Sequence, residues 1–76
     1  VEQGADVNWQ DNNNYTGFLW SCYWDHVETV KYLMTVEAIN VNLVDLNGRS
    51  GFYHACANGN NQTVQILLDD HRVDIM

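Results

Sequence analysis

Two cysteine and histidine pairs carry the most specific chemistry that this sequence could offer. Cys22 and His26 are four positions apart, and His54 lies two positions before Cys56. Thiolates and imidazoles bind structural zinc, but such sites use four convergent ligands and usually contain a C-x-x-C or an H-x₃₋₅-H pair. Neither pair occurs in the sequence. The spacing therefore argues against a metal site, and we predict no metal and no cofactor.

Nucleophilic and acid–base catalysis are also disfavoured. A reactive cysteine needs electropositive, partly exposed surroundings to form its thiolate. The chain has three Lys and Arg residues against ten Asp and Glu residues, a formal net charge of −7. Most of the carboxylates, such as Asp11, Asp45, Asp69 and Asp70, fall on predicted turns and helix ends, where capping and solvation explain them. We therefore predict no catalytic residues and no enzymatic activity.

The composition also limits the partners and the setting of the chain. Binding to nucleic acid or to an anionic membrane depends on clustered Lys and Arg, so we expect neither partner. No apolar run approaches the roughly 20 residues that span a bilayer. With 76 residues, 46% of them hydrophobic, the chain is too apolar for a disordered tail and long enough for one small domain. Two widely separated cysteines are unlike a secreted scaffold, so we expect an intracellular, cytoplasmic protein.

A repeat with an offset of 34 positions organises the chain. A period of this length indicates a repeat architecture. Because Val1 opens the chain inside such a unit, we expect the sequence to be part of a longer protein. The matching residues are Val7 and Val41, Asn8 and Asn42, Asp11 and Asp45, Asn13 and Asn47, Gly17 and Gly51, Phe18 and Phe52, Cys22 and Cys56, and Leu33 and Leu67.

Each repeat carries the signals of two short helices. Thr16 and Ser50 are N-cap residue types that precede apolar stretches, which predicts first helices from Gly17 to Tyr23 or Trp24 and over residues 51–57. Apolar residues recur at helical spacing in residues 28–34 and 62–68, which predicts second helices with one buried face. Tight turns that tolerate positive φ are expected at residues 47–48 and, less readily, at residues 13–14.

These segments resemble the ankyrin repeat, whose signature is T-P-L-H-x-A. Residues 11–16 and 45–50 are similar to its D-x-x-G-x-T turn, with Asn14 in the first glycine position, and residues 16–22 and 50–56 occupy its T-P-L-H-x-A-A stretch. The resemblance implies an all-α, ankyrin-like helix-turn-helix solenoid with short β-turn projections. It implies three segments: the tail of a truncated preceding repeat in residues 1–8, and repeats in residues 9–42 and 43–76.

Several residues depart from the family pattern at structural positions. Gly17 and Gly51 replace a proline, and each change should cost about 0.4–1 kcal/mol through the freer unfolded chain. Leu19 and Tyr53 replace a histidine that ties the loops together in the family. Asp25 stands where glycine is usual, and we expect it to adopt a left-handed conformation. We therefore expect a marginally stable or partner-dependent fold; natural drift and engineering would both explain the departures.

The repeat register also predicts the environment of the cysteines and the tryptophans. It places Cys22 and Cys56 at a buried small-residue position, so we expect both thiols to be free and buried. Trp20 and Trp24 share one helical face with Tyr23 by i, i+3, i+4 spacing. We expect Trp20 to pack between helices, and Tyr23 and Trp24 to be exposed on the concave face. The connector residue Trp9 fits either a neighbouring repeat or a partner.

The resemblance implies a non-catalytic protein–protein interaction scaffold that binds a partner through the turn tips and the concave first-helix face. The net negative charge of the chain favours a neutral or basic partner. The alternative is a structural repeat unit that forms homo-oligomers through uncapped end faces, and an arm of an enzyme in a longer parent chain also stays open. The positions that match the variable contact sites of the family are Asn12, Asn13, Tyr15, Tyr23, Trp24, Leu46, Asn47, Arg49, Ala57 and Asn58.

Overall fold

The computed structural model describes residues 6–74 as four short helices in two pairs. They are α1 (Gly17–Tyr23), α2 (Val27–Met34), α3 (Gly51–Ala57) and α4 (Asn61–Leu68). The bounds of α1 and α3 agree with the prediction, and α2 and α4 each begin one residue earlier than predicted. Outside the helices, the described part of the chain contains one isolated antiparallel bridge, between Val44 and Ser50. The all-α helix-turn-helix prediction is confirmed, whereas most of the predicted tail in residues 1–8 lies outside the described residues.

The first helix of each pair begins with a side-chain cap. The Thr16 hydroxyl accepts a hydrogen bond from the Leu19 N–H at 3.0 Å, and the Ser50 hydroxyl accepts one from the Tyr53 N–H at 3.2 Å. These bonds pair backbone donors that a helix start would otherwise leave without partners. Both predicted N-caps are therefore confirmed.

The projecting turns repeat the same hydrogen bonds. Asp11 Oδ1 accepts the N–H groups two and four residues later, each at 2.9 Å. Asp45 Oδ1 accepts the corresponding pair at 2.9 and 3.0 Å. Asn14 and Gly48 then reverse the chain with φ values of 62° and 75°. The expected left-handed conformation at Asp25 is also present, with φ of 59°.

Two sets of contacts hold the pairs together as stacked repeats. Helix α1 packs on α3, and α2 packs on α4, around a core that includes Phe18, Cys22, Val30, Ala55 and Leu67. Because the helices are under about 12 residues long, they depend on this packing for their stability.

Connector asparagines link one repeat to the next. Asn8 Nδ2 donates to the Ala38 carbonyl at 2.8 Å, and Asn8 Oδ1 accepts the Asn40 N–H at 2.8 Å. Asn42, 34 positions after Asn8, makes the corresponding donor bond to the Arg72 carbonyl at 2.8 Å. These bonds hold successive connectors beside each other.

Candidate functional site

An aromatic surface is formed by α1 and by the residues that flank its two ends. It consists of Tyr15, Trp20, Tyr23 and Trp24, and we call these four residues the aromatic surface. The ring centroids of Tyr15 and Trp20 are 4.5 Å apart, and those of Trp20 and Trp24 are 6.4 Å apart with planes at 11°. Tyr23 meets Trp24 edge to face at 4.9 Å. Such offset and edge-to-face pairs are favourable geometries for aromatic rings, so the four rings support one another.

Trp20 corrects one expectation from the sequence. It was expected to pack between helices, but 41% of its surface is exposed. The reason is that Phe18, Leu19 and Cys22 take up the buried side of α1, which turns Trp20 outward beside Trp24. Trp24 is exposed as predicted, by 59%, whereas Tyr23 is half-buried.

A buried histidine holds this surface to the second repeat. His54 Nε2 lies 2.9 Å from Asp45 Oδ2 and 3.2 Å from the Tyr15 hydroxyl. Its ring also contacts Tyr23, with centroids 5.4 Å apart. His54 therefore joins α3, the turn of its own repeat and the aromatic surface of the preceding repeat.

This histidine is the residue of the candidate site that the sequence did not indicate. Leu19 and Tyr53 occupy the positions of the family histidine, but Leu19 is fully buried in the core and Tyr53 is exposed. His54, one position after Tyr53, provides the tie between loops instead. The available signal was a histidine adjacent to the expected position, nine residues after the turn aspartate at position 45.

The network shifts the pKa values of its acidic members in opposite directions. Burial alone would raise the pKa of Asp45, but hydrogen bonds from the Arg49 N–H, His54, the Asn47 N–H and Tyr15 outweigh it and hold the pKa below its usual value. Burial, followed by the interaction with Asp45, raises the pKa of Tyr15. At neutral pH the network thus holds a carboxylate beside a protonated phenol.

The predicted contact residues form two groups, and in each group a hydrogen bond links the two repeats. At the turn tips, the Leu46 N–H donates to the Asn13 carbonyl at 3.2 Å. At the helix ends, Asn58 Nδ2 donates to the Tyr23 carbonyl at 3.1 Å. Arg49 connects the turn tip to α3, since its guanidinium lies 5.3 Å from the centroid of the Tyr53 ring. Tyr15 and Tyr23 are half-buried, and the exposed members of the predicted set are Asn12, Asn13, Trp24, Leu46, Asn47, Arg49, Ala57 and Asn58.

Comparison with known families decides what this arrangement is. The family model described as ankyrin repeats (3 copies) matches residues 1–76. The chain belongs to the ankyrin repeat family. Ankyrin repeats are non-catalytic modules that generally mediate protein–protein interactions. In residues 6–74, no helix is long and apolar enough to cross a membrane.

Two curated relatives contain similar ankyrin repeat sequences. The chain is 32% identical over 71 residues to the E3 ubiquitin-protein ligase XBAT33 of Arabidopsis thaliana, and the match covers 92% of this chain. It is 36% identical over 48 residues, 63% of this chain, to the serine/threonine-protein kinase TNNI3K of Mus musculus. The matches span only 14% and 6% of the lengths of these relatives. The similarity is therefore confined to a small part of each relative.

The ankyrin stacking explains why the two cysteines differ. Cys22 is fully buried, and burial raises the pKa of its thiol to about 12. Cys56 is exposed, so the expectation that both thiols are buried is wrong for this residue. Gly51 of the following repeat packs on Cys22, whereas no described repeat packs on Cys56 in the same way. Both thiols are free, and no cluster of three His, Cys, Asp or Glu residues within 6–74 could hold a metal ion.

Proposed function

We propose that this ankyrin repeat pair is a scaffold that binds a protein partner through the turn tips and the aromatic surface on the concave first-helix face. The observation that carries the proposal is the exposure of Trp20 on α1 and of its neighbour Trp24 at the C-cap of that helix, by 41% and 59%. Exposed tryptophan and tyrosine side chains are common anchors of protein interfaces because they supply a large contact area at a low entropic cost.

The hydrogen-bonded network of His54 supports the same role. An interface residue contributes most when binding does not have to order it first. Tyr15 is held by His54 and in turn packs on Trp20 at 4.5 Å. The aromatic surface is therefore preorganised by the second repeat, which requires that the two repeats stay stacked.

The turn tips extend the surface with groups of a different kind. Leu46 and Asn47 are exposed on the second turn, and Asn12 and Asn13 are exposed on the first. Amide side chains provide adaptable hydrogen bonds around aromatic anchors. A partner that spans both regions would thus meet apolar contacts on α1 and polar contacts at the tips.

The experiment starts from binders selected against the immobilised chain from a displayed random-peptide library. Their dissociation constants are then measured for the chain, for Tyr23→Ala/Trp24→Ala and for the control Tyr32→Ala. Tyr32 is a suitable control because it is an exposed tyrosine on α2 and is not part of the aromatic surface. We expect the double variant to weaken binding by about tenfold or more and the control to change it by less than about twofold.

Two results would count against the proposal. Binders that tolerate the double variant while circular dichroism shows it folded would place the interface elsewhere. A molar mass that rises with concentration in light scattering, and falls only when end-face residues are changed, would favour the alternative, homo-oligomerisation through the end faces.

A further inference from the structure

We infer that the exposed Trp24 indole, stacked on Trp20, forms a cation–π seat for an arginine side chain, so that the partner of this surface is a protein segment carrying arginine. This inference rests on the proposed function and names the chemistry of its partner. The indole face carries the negative end of the ring quadrupole, and tryptophan is the strongest aromatic partner for a cation.

The geometry leaves the seat accessible. The two indoles are stacked, with planes within 11° of each other and centroids 6.4 Å apart, so Trp20 lies against Trp24 and supports it. Trp20 is supported by Tyr15 at 4.5 Å, and Trp24 by Tyr23 at 4.9 Å. More than half of the Trp24 surface nevertheless remains exposed. The supported rings can therefore receive a flat group without first being ordered.

The cations of the chain itself are engaged elsewhere. The sequence contains three Lys and Arg residues, and all three are described. Lys31 lies 3.7 Å from Glu28, and Arg72 lies 2.8 Å from Asp70. Arg49 lies over the Tyr53 ring at 5.3 Å. The one guanidinium near this region thus already contacts an aromatic ring, while within residues 6–74 no cation–π contact involves the two indoles.

Charge selects the same kind of partner. With a net charge of −7, the chain attracts cationic segments over a distance and repels anionic ones. A guanidinium is planar, weakly hydrated and able to stack on an aromatic ring, whereas an ammonium is compact and strongly hydrated. The flat, exposed Trp24 indole therefore favours arginine over lysine.

The test uses a fluorescein-labelled, capped peptide of sequence Gly-Ser-Arg-Gly-Arg-Ser-Gly and two matched peptides. In one, citrulline replaces both arginines; in the other, lysine does. Dissociation constants are measured by anisotropy at low and at physiological salt, for the chain, for Trp24→Leu and for Trp9→Leu. Trp9 is a matched control because it is also exposed, by 66%, but lies on the connector outside the aromatic surface.

We expect the arginine peptide to bind about two- to fivefold more tightly than the citrulline and lysine peptides, a difference that Trp24→Leu removes and Trp9→Leu preserves. Equal affinities for the three peptides would overturn the inference, as would an equal effect of the two variants. Library binders that need Tyr23 and Trp24 but contain no arginine would also overturn it, while leaving the proposed function intact. Library binders whose affinity does not depend on Tyr23 and Trp24 would overturn both the inference and the proposed function.

Discussion

The same substitution should have opposite effects at two equivalent glycines. Gly17 and Gly51 are the first residues of α1 and α3, so they occupy equivalent positions in the two repeats. A Cβ atom at Gly51 would lie 2.9 Å from Cys22 Sγ and 2.9 Å from Phe18 Cε2, whereas at Gly17 no described atom lies within 4 Å. Separations under 3.0 Å force these core side chains to move, and the two neighbours belong to the preceding repeat.

These distances set the expected magnitudes. Gly17→Ala should raise the free energy of unfolding by about 0.4–1 kcal/mol, because it restricts the unfolded chain without a clash. Gly51→Ala gains the same entropic term but overpacks the junction between repeats, which typically costs about 1–3 kcal/mol. For a chain of this length, 1 kcal/mol corresponds to a Tm change of about 6 °C.

Urea unfolding followed by far-UV circular dichroism measures both variants against the parent chain. The double variant Cys22→Ala/Gly51→Ala, compared with its two single variants, provides the control. Removal of the Cys22 sulphur should recover part of the stability lost in Gly51→Ala, because coupling between contacting residues is about 0.5–3 kcal/mol. Gly17→Ala and Gly51→Ala shifting the midpoint in the same direction would refute the packing argument. So would strict additivity of the Cys22 and Gly51 changes.

Three further predictions concern the network and the turns. His54→Ala should lower the free energy of unfolding by about 1–3 kcal/mol, because it leaves buried Asp45 short of a donor; urea unfolding measures this, and a neutral effect would contradict it. Lowering the pH from about 4 to about 2 should destabilise the fold. Both Asp45 and Asp70 have pKa values in the folded chain below the usual 3.8, and hydrogen bonds from Arg72 hold the pKa of Asp70 at about 2. Because the unfolded chain binds these protons more tightly, protonation favours unfolding. Thermal unfolding across that range should show Tm falling with pH, and a rising Tm would oppose the assignment. Asn14→Ala should destabilise by about 1–2 kcal/mol because φ is positive there, whereas Asn12→Ala should change stability by less than about 0.5 kcal/mol; equal effects in chemical denaturation would argue against backbone strain.

Local signals were sufficient to predict the helices and the N-caps of α1 and α3. Thr16 and Ser50 act through bonds to residues three positions later, so their role depends on nearby sequence alone. The positive φ values of Asp25 and Asn14 likewise follow from their places in the repeat. The repeat register then gave the order of the helices, because equivalent residues occupy equivalent positions in stacked units.

Contacts between repeats could not be read in the same way. Trp20 and His54 are equivalent by register, yet one is exposed and the other buried. The difference depends on neighbours: His54 finds Asp45 in its own turn and Tyr15 in the preceding repeat. The exposure of Cys56 and the close packing of Gly51 also depend on what lies against each residue. Side-chain contacts across 9 or 39 positions leave no periodic pattern in the sequence.

The role of the aromatic surface is tested most directly by mapping the bound surface with the indole N–H signals of the three tryptophans. A ¹⁵N-labelled chain is titrated with a selected binder, and each signal is assigned by a Trp→Phe variant. We expect the Trp20 and Trp24 signals to shift with one common dissociation constant while the Trp9 signal stays in place. A binder that shifts Trp9 and leaves Trp20 and Trp24 unchanged would contradict the claim that the aromatic surface is the binding site.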